Sequence, residues 1–103
     1  MGLAYGKRKK IDISEEDSLW KRYKDTNYLV SKDGQVYNTK TRILLKQTPN
    51  ESGYIRYTLR INNQNYSKQA HILVLETWTN QDLTGKVINH KDGNKLNNNI
   101  INL

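Results

Sequence analysis

The stretch from Tyr54 to Ile61 constrains the fold most, because polar and apolar side chains alternate along it. Successive side chains of a β-strand point to opposite faces of the sheet. The alternation therefore predicts a strand that buries Ile55, Tyr57, Leu59 and Ile61 and exposes Arg56 and Arg60 on the other face.

A hairpin is predicted upstream of this strand. Tyr28–Val30 and Gln35–Tyr37 are short runs with apolar side chains, and Ser31-Lys32-Asp33-Gly34 separates them. An Asp-Gly pair between two such runs is typical of a tight turn. The other short elements predicted are a strand at 43–45, a loop at 49–53, a turn at 62–65 and an antiparallel return at 66–69. Together these segments predict an antiparallel meander of three to five strands.

Ala70 to Thr79 favours one short, largely buried helix, because Val74 and Leu75 would share a face with Trp78. A buried strand is the alternative, since Ile and Val favour strands. Further along, the pattern predicts a linker at 80–86, a short strand at Val87–His90, a polar loop at 91–99 and the start of another strand at 100–103.

The charge balance indicates a polyanionic partner. The 103 residues, enough for one small domain, include 17 Lys and Arg against 10 Asp and Glu, a formal net charge of +7. Cationic side chains on phosphate release condensed counterions, which favours binding to nucleic acid. A basic run in the predicted mobile arm at 1–17 would contact the DNA backbone, and it consists of Lys7, Arg8, Lys9 and Lys10. The alternatives are a solvated tail and a basic surface of no further function.

The chain has no cysteine, which excludes disulfides, thiolate metal sites and a cysteine nucleophile. Its absence suits a cytoplasmic protein, and we expect one from a bacterial or phage-infected cell. No apolar run approaches the roughly 20 residues that span a bilayer.

The segment from Val87 to Asn98, followed by Asn102-Leu103, resembles the centre of the HNH nuclease motif. The branch it resembles has the consensus "v-[DN]-H-x-D-G-[ND]-x-x-N-N" followed by "N-L". Residues 28–36 resemble the "Y-x-V-S-x-x-G-x-V" module that precedes HNH domains in phage-type homing endonucleases. Gly53-Tyr54 and residues 70–74 resemble the "G-Y" and "v-H-x-L-V" stretches of that family. The resemblance covers about residues 19–103.

The resemblance implies an α+β fold: a small antiparallel sheet with one helix, followed by a partial ββα-metal hairpin. It divides the chain into a basic mobile arm at 1–17, a NUMOD4-like β module at 18–69, and a helix with an incomplete HNH motif at 70–103.

The same resemblance assigns roles to individual residues. His90 would be the general base, because an imidazole can take a proton from water near neutral pH. Asn89 would bind a divalent metal, Mg or Mn, and Asn102 would hold the hairpin and orient the histidine. Besides the basic arm, the candidate DNA contacts are Arg56, Arg60, Lys91 and Lys95. His71 lies in an apolar run and is interpreted as a hydrogen-bonded structural histidine.

Two departures from the family pattern leave the function open. Asn89 is neutral where many members have Asp, and a carboxylate adds charge that an amide lacks. The third motif residue, on a helix, would lie beyond Leu103. The first hypothesis is a metal-dependent DNA endonuclease. The second is an inactive HNH-derived protein that binds DNA or inhibits a partner protein such as a defence nuclease. An RNA-binding protein is a weaker third.

Overall fold

The computed structural model describes residues 9–79, 81, 83 and 86–103. Within these residues the chain forms two antiparallel sheets and one α-helix, which confirms the α+β class. The strands are β1 (Trp20–Arg22), β2 (Tyr28–Ser31), β3 (Val36–Asn38), β4 (Ile43–Leu44), β5 (Thr48–Pro49), β6 (Ile55–Ile61) and β7 (Gln64–Gln69). The helix, α1, spans Ala70–Thr79, and a 3-10 helix spans Ile100–Asn102.

The strands divide into a four-stranded sheet, β1-β2-β3-β4, and a three-stranded sheet, β5-β6-β7. The prediction of one continuous meander was therefore wrong. The division falls after β4, because β4 pairs with β3 and the next strand, β5, pairs with β6. Pro49 lies in β5 and not in a loop. Its missing N–H is tolerated there because β5 is an edge strand.

The predicted hairpin between β2 and β3 is confirmed, with the Asp33-Gly34 turn at its tip. Gly34 has a φ of +92°, a conformation that side chains with a Cβ rarely adopt. The second hairpin, between β6 and β7, turns through Asn62 and Asn63, whose φ angles are +52° and +63°. Two consecutive positive φ angles are typical of a tight type I′ turn. Because the turn is this short, β7 begins at Gln64, earlier than predicted.

Strand β6 has the burial pattern that the sequence predicts. Tyr57 and Leu59 are buried, whereas Arg56 and Arg60 are exposed on the opposite face. The predicted helix at 70–79 is also confirmed, and its Leu73 packs in the core. Helix α1 contacts strands of both sheets, so the core lies between the sheets and the helix. None of the helices in the described ranges is long and apolar enough to cross a membrane.

Tyrosines take the place of phenylalanine in this core, and their hydroxyls join separate elements. The chain has no Phe. The hydroxyl of Tyr57 donates to the carbonyl oxygen of Gly34 over 2.7 Å, and the hydroxyl of Tyr28 accepts from the backbone N–H of Arg60 over 2.8 Å. Both bonds connect the four-stranded sheet to β6. Buried tyrosine hydroxyls need such partners, so the bonds fix how the two sheets meet.

Part of the predicted arm contacts the four-stranded sheet. The backbone N–H of Ile11 donates to the carbonyl oxygen of Arg42 over 2.9 Å, and Tyr37 donates to the carbonyl oxygen of Ile11 over 2.6 Å. Asp12 forms an ion pair with Arg42 over 2.8 Å. Lys7 and Arg8 lie outside the described residues. Ile11 and Asp12 therefore belong to the folded body, and the mobility of the arm remains a prediction for the residues before them.

The two strands predicted at the end of the chain are wrong. Residues 87–90 form no strand, and Ile100–Asn102 form a 3-10 helix. The side chain of Asn99 caps this helix by accepting from the N–H of Ile101. One backbone bond joins the two segments, from the N–H of Lys91 to the carbonyl oxygen of Asn102 over 2.7 Å. The cap and the buried side chain of Asn102 favour a compact turn over an extended strand. Most of the predicted linker at 80–86 lies outside the described residues, but its Leu83 is buried.

The register of β6 gives the first testable prediction. Leu59 is fully buried, so Leu59→Ala should lower the free energy of unfolding by about 2–5 kcal/mol. Thr58→Ala, on the exposed face of the same strand, should cost less than about 1 kcal/mol. Urea denaturation followed by circular dichroism measures both. Equal losses of unfolding free energy in the two variants would contradict the placement of Leu59 on the buried face of β6 and Thr58 on its exposed face.

Candidate functional site

Amide side chains organise the polar segment from His90 to Asn102. The side-chain oxygen of Asn102 accepts from the backbone N–H of Asp92 over 3.0 Å. Its amide nitrogen donates to the Asp92 carboxylate over 3.0 Å and to the carbonyl oxygen of Asn97 over 2.8 Å. An amide can do this because it donates and accepts at once. Asn102 therefore closes the loop, although residues 87–103 do not form the hairpin that it was predicted to hold.

Asp92 is the second organiser of this loop. Its carboxylate accepts from the side chain of Asn97 over 2.9 Å and from the backbone N–H of Asn94 over 2.8 Å, in addition to Asn102. These hydrogen bonds, the one from Asn97 most of all, lower the pKa of Asp92 because they favour the charged form. The carboxylate of Asp92 is thus hydrogen-bonded within the loop that follows His90.

His90 is half-buried and contacts Asn98, not Asn102. Its Nε2 lies 2.8 Å from the side-chain oxygen of Asn98, whose residue is only 3% exposed. The sequence-based prediction that Asn102 orients the histidine was therefore wrong, because the amide of Asn102 is occupied by Asp92 and Asn97. Two different asparagines close the loop and contact the imidazole.

The four-stranded sheet supports Asn98. A Cβ placed on Gly34 would come within 2.6 Å of the Cβ of Asn98, so the turn and the loop are in close contact. Nearby, the backbone N–H of Ile100 donates to the carbonyl oxygen of Lys32 over 2.7 Å. This part of the loop therefore packs against the β2–β3 turn.

Three rings pack together on the other side of His90; we call Tyr54, His71 and His90 the ring cluster. The centroids of the two imidazoles are 4.9 Å apart, and Tyr54 lies 5.2 Å from His71 and 5.9 Å from His90. The ammonium of Lys95 lies 4.8 Å from the centre of the Tyr54 ring and donates to the carbonyl oxygen of Ser52 over 2.8 Å. The start of α1, the residue before β6 and the polar loop therefore meet at one place.

His71 is buried in this cluster, and its Nδ1 has no hydrogen-bond partner among the residues that the structure describes. Among the described residues, the prediction of a hydrogen-bonded structural histidine is thus not met at Nδ1. Burial, and then the charge that His90 can carry, lower the pKa of His71 to about 4. His71 is therefore neutral at physiological pH and presents an uncharged ring to His90.

The described residues supply few ligands for a metal ion. Asn89 is exposed beside His90 and offers one amide oxygen. No group of three or more His, Cys, Asp or Glu side chains comes together in the part of the chain that the structure describes. The carboxylate of Asp92 is already engaged by hydrogen bonds. The described donor set alone does not make a site for Mg or Mn.

The basic candidates lie at separate places on the surface. Arg56 donates to Ser67 over 2.9 Å and Arg60 to Asn65 over 3.1 Å, both neutral partners on β7. Lys9, Lys10 and Lys91 are exposed, and Lys95 lies on the ring cluster. The structure thus brings Lys91 and Lys95 to His90, while Arg56 and Arg60 share the exposed face of β6.

Sequence reasoning did not assign three residues of the site: Asn98, Tyr54 and Gly34. Asn98 lies in a run of asparagines that reads equally well as a solvated loop. Tyr54 and Gly34 each fall within a stretch that resembles the nuclease family, and that was their only signal. Tyr54 contacts both histidines and Gly34 contacts Asn98, and these contacts join distant parts of the chain, which local pattern does not reveal.

Comparison with known proteins finds relatives among HNH endonucleases. No family model matches the sequence. The chain is 37% identical over 79 residues to the uncharacterized HNH endonuclease L245 of Acanthamoeba polyphaga mimivirus, covering 77% of this chain and 24% of that protein. It is also 37% identical over 86 residues to DNA endonuclease I-HmuI of Bacillus phage SP01, covering 82% of this chain and 49% of that protein.

A solved structure described as DNA binding and cleavage by the HNH homing endonuclease I-HmuI has the same fold. The TM-score is 0.73 at 36% identity, over 81% of this chain and 49% of that one. The chain thus spans between a quarter and a half of the length of these relatives. The match supports the α+β fold with small antiparallel sheets and one helix.

The lowered pKa of His71 predicts a pH-dependent stability. Between about pH 6.5 and about pH 4 the unfolded chain binds a proton that folded His71 does not. The free energy of unfolding should therefore fall as the pH decreases through this range, by roughly 3 kcal/mol in total from this residue. His71→Phe keeps a ring in the cluster and should lack this part of the dependence.

Urea denaturation of both proteins over a series of pH values measures the effect. The difference in stability between His71→Phe and the original chain should grow toward low pH. Parallel curves would show that His71 is not held neutral in the folded state.

Proposed function

We propose that this chain, whose relatives support its placement in the HNH homing endonuclease family, is part of a DNA endonuclease in which His90 is the general base. The observation that carries the proposal is the presentation of His90. Its ring is half-buried, hydrogen-bonded to a buried amide and packed against a neutral ring. A solvent-exposed histidine in a disordered loop would have none of these supports.

The chemistry that this geometry supports is hydrolysis of a phosphodiester. A water molecule that attacks phosphorus must lose a proton, and His90 would accept it. The buried His71 excludes water from one side of the imidazole, and its neutral state avoids repulsion when His90 gains a positive charge. The amide network of Asp92 and Asn102 keeps the loop rigid, so that the ring need not be ordered when DNA binds.

We further propose that cleavage requires Mg or Mn. When bound, the ion would supply stabilisation of the charge that develops on the departing oxygen. Asn89 would provide one oxygen ligand from the described residues, and DNA phosphate or parts of the protein outside them would provide the rest.

The exposed face of β6 would grip the DNA backbone. Arg56 and Arg60 are four residues apart on this face, which places their Cα atoms about 13 Å apart along the strand. Both donate hydrogen bonds to neutral side chains, so these bonds leave the positive charge of each guanidinium available to a phosphate. Lys91, Lys95 and the basic run at 7–10 would add phosphate contacts. Such contacts give affinity and position, not sequence selectivity.

A second candidate function is DNA binding without cleavage. The small set of metal ligands among the described residues and the neutral Asn89 favour it. This version keeps the basic face and the salt-sensitive binding but needs no metal. A protein partner in place of DNA is the alternative that remains if the binding experiment below detects no binding to DNA.

The endonuclease proposal predicts nicking of supercoiled plasmid in the presence of Mg or Mn and none in the presence of EDTA. His90→Ala should lower the rate by a factor of about 100 to 10 000, the usual contribution of a general base. The assay is run on the 103-residue chain and on a fusion that adds the part of I-HmuI outside the aligned region. Conversion of supercoiled to open-circular DNA on agarose gels gives the rate.

Lys40→Ala, an exposed position in the turn between β3 and β4, is the matched control and should nick at the original rate. Circular dichroism confirms that each variant is folded. No cleavage by the chain or by the fusion, with either metal, would overturn the endonuclease proposal and leave the binding protein.

The DNA-gripping face predicts a specific loss of binding. The double variant Arg56→Gln/Arg60→Gln should weaken binding to duplex DNA and reduce the slope of log affinity against log salt by about 2. Fluorescence anisotropy with a labelled duplex at several salt concentrations measures it.

The matched control removes the same charge elsewhere. Arg22 and Arg42 pair with Glu15 and Asp12, so Arg22→Gln/Arg42→Gln should leave the salt slope almost unchanged. Equal effects of the two double variants would mean that only net charge matters. No measurable binding by the original chain at low salt would eliminate both DNA-based functions.

A further inference from the structure

The contact between His90 and Asn98 has a definite chemical direction. The atom of Asn98 that lies 2.8 Å from Nε2 of His90 is the side-chain oxygen. An amide oxygen accepts hydrogen bonds and cannot donate them, so this orientation of the Asn98 amide assigns the hydrogen to Nε2. In the neutral imidazole the lone pair then lies on Nδ1.

Asn98 itself is held from several sides. It is 3% exposed, and its Cβ lies against Gly34, where any side chain on the glycine would come within 2.6 Å. Gly34 in turn accepts the hydroxyl of Tyr57 over 2.7 Å. Two residues after Asn98, the backbone N–H of Ile100 bonds Lys32 in the same turn. The amide is therefore fixed before any substrate binds.

We propose that Asn98 is the positioning residue of the site: it selects the Nε2–H tautomer of His90, and the Asp33-Gly34 turn fixes Asn98. The inference rests on the proposed function of His90 and deepens it, because it identifies Nδ1 as the atom that accepts the proton from water. It also assigns the β2–β3 hairpin a role in the chemistry, although that hairpin lies more than 50 residues before His90 in the chain.

The tautomer is measurable without any DNA. Long-range ¹⁵N–¹H correlation spectra distinguish imidazole nitrogens with and without a hydrogen, and the chain contains only two histidines, His71 and His90. At about pH 8 the His90 ring should show a protonated Nε2 and a bare Nδ1. The His90→Ala spectrum assigns the signals.

Substitution of Asn98 should abolish this selection. Asn98→Leu keeps the volume of the side chain against Gly34 but cannot accept a hydrogen bond, so His90 should become a mixture of tautomers. Asn98→Asp retains an acceptor and should preserve the Nε2–H form. Leu96→Ala, in an exposed part of the same loop, is the control and should leave the spectrum unchanged.

The role of the turn has its own variant. Gly34→Ala places a methyl group against Asn98 at a positive φ, and the displaced amide should release the tautomer as Asn98→Leu does. In the nicking assay, Asn98→Leu should lower kcat by roughly 10- to 100-fold with KM for DNA nearly constant, and Asn98→Asp should recover most of the loss.

The outcomes separate this inference from the proposed function. A bare Nε2 on His90 in the original chain, or an unchanged Nε2–H tautomer in Asn98→Leu, would overturn the positioning role whatever the nicking result. The predicted spectra in a protein that never nicks DNA would instead support the positioning role and refute the endonuclease proposal. If Asn98→Leu fails to fold, the inference is tested by the tautomer of His90 in the original chain and by its change in Gly34→Ala.

Discussion

The hydrogen bond from the Tyr57 hydroxyl to the Gly34 carbonyl is the contact on which the arrangement of the site depends. It joins β6, at the centre of the three-stranded sheet, to the turn of the four-stranded sheet, and it is buried. Burial raises the pKa of Tyr57, so the hydroxyl keeps its hydrogen and remains a donor. Because Gly34 lies directly against Asn98, a shift between the two sheets would displace the amide that contacts His90. A small core of 103 residues has little stability to spare, and directional bonds of this kind specify one arrangement of its elements.

The loop that carries His90 is held together by hydrogen bonds of amide and carboxylate side chains and not by packing of apolar side chains. Asn102, Asn97 and Asp92 satisfy each other's donors and acceptors, and Asn99 caps the following 3-10 helix. Asparagine is suited to this task because its short side chain reaches nearby backbone groups and both donates and accepts. The cost is that these side chains are no longer available to a ligand. The neutral amides leave the vicinity of His90 less negative than a cluster of carboxylates would, which favours the approach of a phosphate and weakens the binding of a cation.

Sequence patterns predicted the parts of this fold that local physics determines. The alternation at 54–61, the Asp-Gly turn and the helix at 70–79 were all identified, because strand period, turn conformation and helix-face spacing depend on neighbouring residues. The same reasoning failed at 87–90 and 100–103, where apolar residues suggested strands. There the deciding contacts are side-chain bonds to Asp92, Asn97 and Asn99, which override the weak strand preference of Ile and Val. His90 was found through its family resemblance, whereas its partner Asn98 lies in a run of asparagines that no local pattern distinguishes. The support of Asn98 by Gly34 joins segments far apart in the chain.

The packing of His71 against His90 brings two imidazoles together beside a loop that also carries Lys91 and Lys95. Two histidines whose ring centres are 4.9 Å apart would repel each other if both were charged. Burial, and then the charge that His90 can carry, lower the pKa of His71 to about 4, so His71 is neutral at physiological pH and the repulsion does not arise. Within the described ranges the Nδ1 of His71 has no partner, which costs folding free energy because a buried polar atom without a hydrogen bond is unfavourable. A phenylalanine would avoid that cost and still fill the space against Tyr54. Stability alone therefore does not account for a buried imidazole at this position beside His90.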